Sequence, residues 1–177
     1  HVKASWPERD LILFVDNCYG EFVEAQEPCH MGVHLVAGSL IKNPGGTIAK
    51  SGGYVAGQKR LVRAAANRMG APGVAGGATL GQNHNLYHGL FLAPTIVGES
   101  IKGALLLAEI FGGAYGLETN PPPRSRVTES VRGRGGGGEL CGRTDIVQGL
   151  RLGTHERLVR FCEIVQRNSP VNAFVRP

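Results

Sequence analysis

Three stretches in close succession decide how this chain is read: Asp16-Asn17-Cys18-Tyr19-Gly20-Glu21-Phe22, Gly38-Ser39-Leu40-Ile41-Lys42-Asn43-Pro44-Gly45-Gly46 and Gly52-Gly53-Tyr54-Val55-Ala56-Gly57. The first follows Leu11-Ile12-Leu13-Phe14-Val15. That fully apolar run, without alternation, predicts a strand buried on both faces, as in parallel sheets. Residues 34–38 predict a second strand and Gly53–Gly57 a short third one. Asp16 therefore closes one strand. Lys42 lies just beyond another, in a turn marked by Asn43-Pro44-Gly45-Gly46. Open α/β sheets bind their ligands outside the carboxyl ends of strands.

Each of these residues has a chemical and a bland reading. An amine attacks an aldehyde only when neutral, and partial burial or nearby positive charge lowers a lysine's pKa. Lys42 could equally be a solvated turn lysine. A carboxylate closing an apolar strand needs a partner. For Asp16 that partner is a protonated ring nitrogen, or the backbone N–H groups of an Asp-Asn turn. The Ser39 hydroxyl can reach a phosphate oxygen or bond its own local backbone. Gly45 and Gly46 permit close backbone approach. Tyr19 and His34 are either site residues or packing residues. A lysine amine for a Schiff base, a carboxylate for a pyridinium nitrogen and small or hydroxyl residues for a phosphate are the parts that pyridoxal phosphate chemistry requires.

The 177 residues suffice for a domain with a sizeable core, and composition is ordinary apart from 27 glycines. A net charge of +5, with basic residues scattered outside 124–134, argues against nucleic acid as a partner. No uninterrupted apolar run reaches the ~18 residues of a membrane span, so no membrane is expected. The opening residues lack the apolar core of a signal peptide. Cys18, Cys29, Cys141 and Cys162 show no C-x-x-C spacing, so reduced thiols and a cytoplasmic or organelle-matrix location are expected. His84 and His88 are four residues apart on a predicted helix, but no acid completes a site, and no metal is expected.

Residues 58–69 predict an amphipathic helix with Leu61, Val62, Ala65 and Met69 on one face. Residues 78–115 read as largely helical, with a kink or break at Pro94 and a stop at Gly112-Gly113. The apolar segment 96–111 suits burial or a subunit interface. Residues 120–142, rich in Pro, Arg and Gly, read as a flexible linker or insertion. Residues 144–152 alternate like a strand, Thr154 is a good N-cap for a helix over 155–167 with Leu158, Phe161, Cys162 and Val165 on one face, and 171–175 suit another strand.

The stretches F-V-D-N-C-Y-G-E-F, G-S-L-I-K-N-P-G-G and S-G-G-Y-V-A-G, in this order, resemble the methionine gamma-lyase-like family, also called the aluminium-resistance protein family. These are fold type I pyridoxal phosphate enzymes related to cystathionine lyases. The likeness continues through G-A-T-L-G at Gly77, G-L-F-L-A-P at Gly89 and V-G-E-S-I-K-G-A at Val97. It resumes at R-T-D-I-V-Q from Arg143 and S-P-V-N-A-F-V from Ser169.

The resemblance implies an α/β fold, with the carboxyl-terminal half of a mostly parallel large domain over 1–119, the linker over 120–142 and the start of a small α+β domain over 143–177. It implies that Lys42 carries the Schiff base and abstracts the α-proton, and that Asp16 holds the pyridine nitrogen. Ser39, with Tyr19, Gly45 and Gly46, would complete the cofactor contacts present in this chain. The implied activity is carbon–sulfur lysis of a sulfur amino acid by a homodimer or homotetramer. An aminotransferase or aldolase on the same fold and a catalytically inert scaffold are the rivals. Family members are more than twice as long, so a fragment is expected, inactive alone and exposing the edge of strand 11–15.

Overall fold

A computed structural model describes residues 11–71, 83–125 and 144–169. The chain divides into two compact units, His1–Gly103 with Thr144–Val147, and Ala104–Arg143 with Gln148–Pro177.

The first unit is built on a three-stranded sheet of order β1 (Phe14–Asp16), β2 (Leu35–Ser39), β3 (Gly53–Gly57). β1 and β2 run parallel, with Asp16 opposite Ala37, and Asn17 N–H extends the pairing to Ala37 O at 2.8 Å. β3 returns antiparallel, with Ser39 opposite Gly53. The sheet is therefore mixed. The parallel strands are joined through a 3₁₀ turn at Pro28–Met31. β1 is shorter than the apolar run suggests, and it is not buried on both faces: Ile12 is 50% and Phe14 56% exposed. β1 has a strand neighbour on one side only among the described residues, which leaves its apolar side chains partly uncovered.

Helix α1 (Lys59–Met69) follows β3 directly. Leu61, Val62 and Ala65 are half-buried as their spacing predicts, whereas Met69 at the helix end is 78% exposed. Helix α2 (Asn83–Leu107) contains Pro94 without a break, because the ring is on the exposed side and the missing N–H falls there. On its inner face Gly89, Ala93 and Val97, spaced four apart, are buried in the first unit. The small residues let α2 press against the turn after β2. A Cβ on Gly46 would meet the Gly89 carbonyl oxygen, and one on Gly89 would meet that of Gly45. Gly46 is also left-handed, at φ +51°.

In the second unit α2 passes into a π-helical segment, Ala108–Ala114, which runs through Gly112 and Gly113 rather than stopping at them. Strand β4 (Thr119–Asn120) pairs antiparallel with β5 (Gly149–Leu150), the only part of 144–152 that is strand. The Gln148 side-chain amide donates to Pro121 O at 2.9 Å. Helix α3 (His155–Asn168) is capped by Thr154, whose Oγ1 accepts the Arg157 N–H at 3.3 Å. Phe161 meets Phe111 edge-on at 5.8 Å, while Leu158 and Val165 stay 49% and 45% exposed. Most of the predicted linker and the predicted strand over 171–175 lie outside the described residues.

Helix Asn83–Ala114, at 32 residues, is long and apolar enough to cross a membrane by length and composition, and its most apolar stretch has a mean hydropathy of 1.5 with 17% buried. Isolated polar residues such as Glu99 and Lys102 interrupt the apolar run in sequence, and the helix periodicity still leaves Tyr87, Phe91 and Leu106 largely exposed.

The glycine contact is testable by comparison within one helix. Gly89→Ala should lower stability by about 1–3 kcal/mol through backbone overpacking. Gly98→Ala, with nothing within 4 Å of the added methyl, should be neutral or stabilise by up to about 1 kcal/mol. Thermal melting of the two variants checks it, and equal midpoints would contradict the packing account.

Candidate active site

Parallel pairing sets Asp16 and Lys42 on one end of the sheet. β1 ends at Asp16 and β2 at Ser39, and Lys42 follows in a turn closed by Lys42 N–H to Ser39 O at 3.4 Å and Gly45 N–H to Lys42 O at 2.9 Å. The turn continues as the 3₁₀ segment Asn43–Gly45, all of it buried.

Asp16 Oδ1 accepts the Cys18 N–H at 3.1 Å, so the Asp-Asn turn forms. The carboxyl is held below its ordinary value, first by the Cys18 thiol, then by the Cys18 N–H, with a smaller contribution from Lys42. Lys42 in turn is raised above the ordinary 10.5, chiefly by the Cys18 thiol, with Tyr19 assisting. Partial burial does pull the amine down as expected, but the contacts with Cys18 and Tyr19 outweigh it and favour the charged form. Its Nζ stands 4.4 Å from the centroid of the Tyr19 ring, an arrangement that favours an ammonium. Cys18 thus favours the charged form of both the carboxylate and the amine.

Lys42 and Tyr19 line a cavity of about 400 Å³ together with Thr47, Ile96, Ser100 and Ile146. Ile146 is brought there by a hydrogen bond from its N–H to Tyr19 O at 3.1 Å. A larger cavity of about 840 Å³ is lined by neither Asp16 nor Lys42. Its walls are mostly apolar, with Glu21 and Glu27 among them, so the smaller cavity is the one with a reactive amine.

The remaining expected residues fall as follows. Ser39 Oγ accepts the Ile41 N–H at 3.3 Å, the local turn bond, and its own hydrogen remains available to an acceptor. Gly45 and Gly46 are buried: a Cβ on Gly45 would strike the Leu40 carbonyl within the turn, and one on Gly46 the Gly89 carbonyl of α2. His34 Nδ1 accepts the Leu13 N–H at 2.8 Å, a bond that fastens the start of β1.

A polar cluster behind the site was not anticipated. Glu21 is 4% exposed, and its Oε1 accepts the Tyr54 hydroxyl at 2.8 Å, while Oε2 is buried without a hydrogen bond. Gly38 makes room for the pair, since a Cβ there would collide with both. Asn43, also 4% exposed, donates from Nδ2 to Glu21 O at 2.9 Å. Burial raises the Glu21 carboxyl above its ordinary value, and burial together with the adjoining carboxyl raises the Tyr54 hydroxyl. An acidic residue between Gly20 and Phe22 was the only sequence signal for this cluster. Ser100 and Ile146 carried none, because they lie 58 or more positions beyond Lys42.

The site is thus a small α/β unit that sets a carboxylate and a lysine amine beyond the carboxyl ends of two adjacent parallel strands. The family model for methionine gamma-lyase matches residues 2–177. The chain belongs to the methionine gamma-lyase family. It is 43% identical to the uncharacterized protein YnbB of Bacillus subtilis (strain 168), over 95% of this chain and 36% of that protein. It is 42% identical to an uncharacterized 33.9 kDa protein of Lactobacillus delbrueckii subsp. bulgaricus, over 99% of this chain and 52% of that one. A solved structure of a carbon-sulfur lyase involved in aluminum resistance from Clostridium novyi NT superposes with a TM-score of 0.79 at 40% identity, covering 98% of this chain and 38% of that one. The chain thus spans between about a third and a half of the length of these relatives.

Glu21 gives this cluster a pH signature. Folding binds the Glu21 proton more tightly than the unfolded chain does. The associated stability is full below the ordinary glutamate value of 4.5 and is lost as pH rises through the raised value. Glu21→Gln removes this loss. Relative to the parent, its melting midpoint should improve as pH rises from 4.5 to 8, and a constant difference across that range would contradict the assignment.

Proposed function

We propose that this chain carries part of the active site of a pyridoxal phosphate-dependent carbon–sulfur lyase of fold type I, acting on a sulfur amino acid. The observation behind this reading is that Lys42 and Asp16 share one end of a parallel strand pair, with Lys42 lining a cavity of hydroxyls and aliphatic side chains. The family membership supports the lyase class.

The donor set suits this cofactor. Lys42 supplies the amine that captures its aldehyde. Asp16 supplies an exposed carboxylate, held ionised, for the ring nitrogen. Ser39 keeps a hydroxyl hydrogen for a phosphate oxygen. When bound, the cofactor withdraws electrons from the substrate's α-carbon. Lys42 Nζ would take the substrate's α-proton, with the Tyr19 ring beside it holding the amine in place. Asp16 would hold the proton on the ring nitrogen of such a cofactor. Ile96 and Ile146 offer apolar wall to a thioether side chain and exclude water around it. The carbon–sulfur bond breaks to release a thiol, and one water hydrolyses the remaining imine to a keto acid and ammonia. The exposed apolar side chains Tyr87 and Phe91 on α2 suit an interface between copies, so the full-length protein is a homodimer or homotetramer in the cytoplasm.

Borohydride treatment of the full-length protein with pyridoxal phosphate should fix label to the peptide containing Lys42. Lys42→Ala should abolish it, and label confined to Lys50 or Lys59 would defeat the reading. Capture should accelerate as pH rises from 7 to 9, because the Lys42 amine is held protonated above the ordinary lysine value. Asp16→Asn should keep capture and lose about a hundredfold or more in thiol release, the scale expected when a charge-stabilising partner is removed.

A further inference from the structure

We propose that Asn43 is a positioning residue, whose buried amide locks the Lys42 turn onto the loop after β1 and thereby fixes the lysine amine over Tyr19. This rests on the pyridoxal phosphate reading only for what Lys42 does, and not for how it is held.

The β1 loop is strained. Tyr19 and Phe22, neither of them glycine, sit in the left-handed region at φ +73° and +63°. Such conformations persist where the surroundings over-determine them, and they concentrate at functional sites. Glu21, one residue before Phe22, is gripped twice. The Asn43 side chain holds its main-chain oxygen at 2.9 Å, and the Tyr54 hydroxyl holds its carboxylate at 2.8 Å. A third tie runs from Asn17 Nδ2 to Glu27 Oε2 at 2.8 Å, and Glu27 Oε1 accepts the Phe22 N–H at 2.9 Å. The Asn43 bond joins this loop to the turn that carries the lysine, since Lys42 is the adjacent residue.

Asn43 has no room to serve otherwise. It is 4% exposed and lies in the buried 3₁₀ segment pressed against Gly89. Its neighbour Lys42 has φ −103° and ψ −138°, outside the helical and regular strand regions, so the turn itself does not dictate where the amine points. The cross-loop bond does. Without it the β1 loop can relax toward ordinary backbone angles, carrying the Tyr19 ring away from Nζ.

The test uses the full-length protein with Asn43→Ala, Asn43→Asp and Tyr54→Phe. The aspartate keeps the size of Asn43 and lacks the donor. Without cofactor, hydrogen exchange in peptides covering residues 18–23 should speed up by about fivefold in both Asn43 variants, and acetic anhydride should label Lys42 at a changed ratio to Lys50. Both variants should also shift the pH midpoint of the visible band formed with pyridoxal phosphate. Tyr54→Phe, which loosens the other grip, should speed the same exchange while changing the Lys42 labelling ratio less. Unchanged exchange and unchanged Lys42 labelling in Asn43→Asp would overturn the proposal, as would a larger labelling change in Tyr54→Phe. If Asn43→Ala does not fold, Asn43→Asp and Tyr54→Phe decide. Altered exchange and labelling without any visible band would leave the clamp standing and the pyridoxal phosphate reading refuted.

Discussion

The parallel register of β1 and β2 is the constraint on which the site depends. Pairing Phe14 with Leu35 and Asp16 with Ala37 makes both strands finish together, so the two loops that follow must emerge side by side. In an antiparallel pair Asp16 and Lys42 would have left from opposite ends of the sheet. β3 comes back antiparallel and uses its second residue, Tyr54, to hold the buried Glu21. The sheet therefore delivers the reactive groups in front and their support behind.

Helix α2 supplies the complementary constraint. Gly89, Ala93 and Val97 form a face flat enough for backbone-to-backbone contact with Gly45 and Gly46. The turn after Lys42 is consequently pinned from one side by a helix and from the other by the Asn43 amide. A lysine on so fixed a base reaches few positions, and loss of side-chain freedom before reaction is what a capturing amine requires. The cost is visible in the left-handed Tyr19 and Phe22 and in the buried, unpaired Oε2 of Glu21.

The electrostatics run against a simple picture of an activated lysine. Burial pulls the amine of Lys42 down, but that pull is outweighed. The thiol of Cys18 and the ring of Tyr19 favour its charged form, while the same thiol favours ionised Asp16. The two groups follow the ends of one parallel strand pair, each with its charged form favoured.

Three strands, the turn at Lys42 and the amphipathic helices were legible in the sequence, because apolar runs, glycine pairs and 3.6-residue spacing are local properties. Asp16, Ser39 and Lys42 could be singled out for the same reason, as each stands at the end of an apolar strand. Local patterns did not reveal which faces stay uncovered: the run 11–15 reads as fully buried, yet Phe14 is largely exposed because β1 has a strand on one side only among the described residues. Nor could they reveal that Gly46 makes room for a helix more than forty residues away, that Pro94 is tolerated on an outer helix face, or that Asn43 and Glu21 meet. The sequence by itself determined the chemical types and their order along the chain. Only the tertiary structure decided their distances and their protonation tendencies, since both depend on contacts between residues such as Tyr19 and Ile146 that lie far apart in the chain and are neighbours only once it is folded.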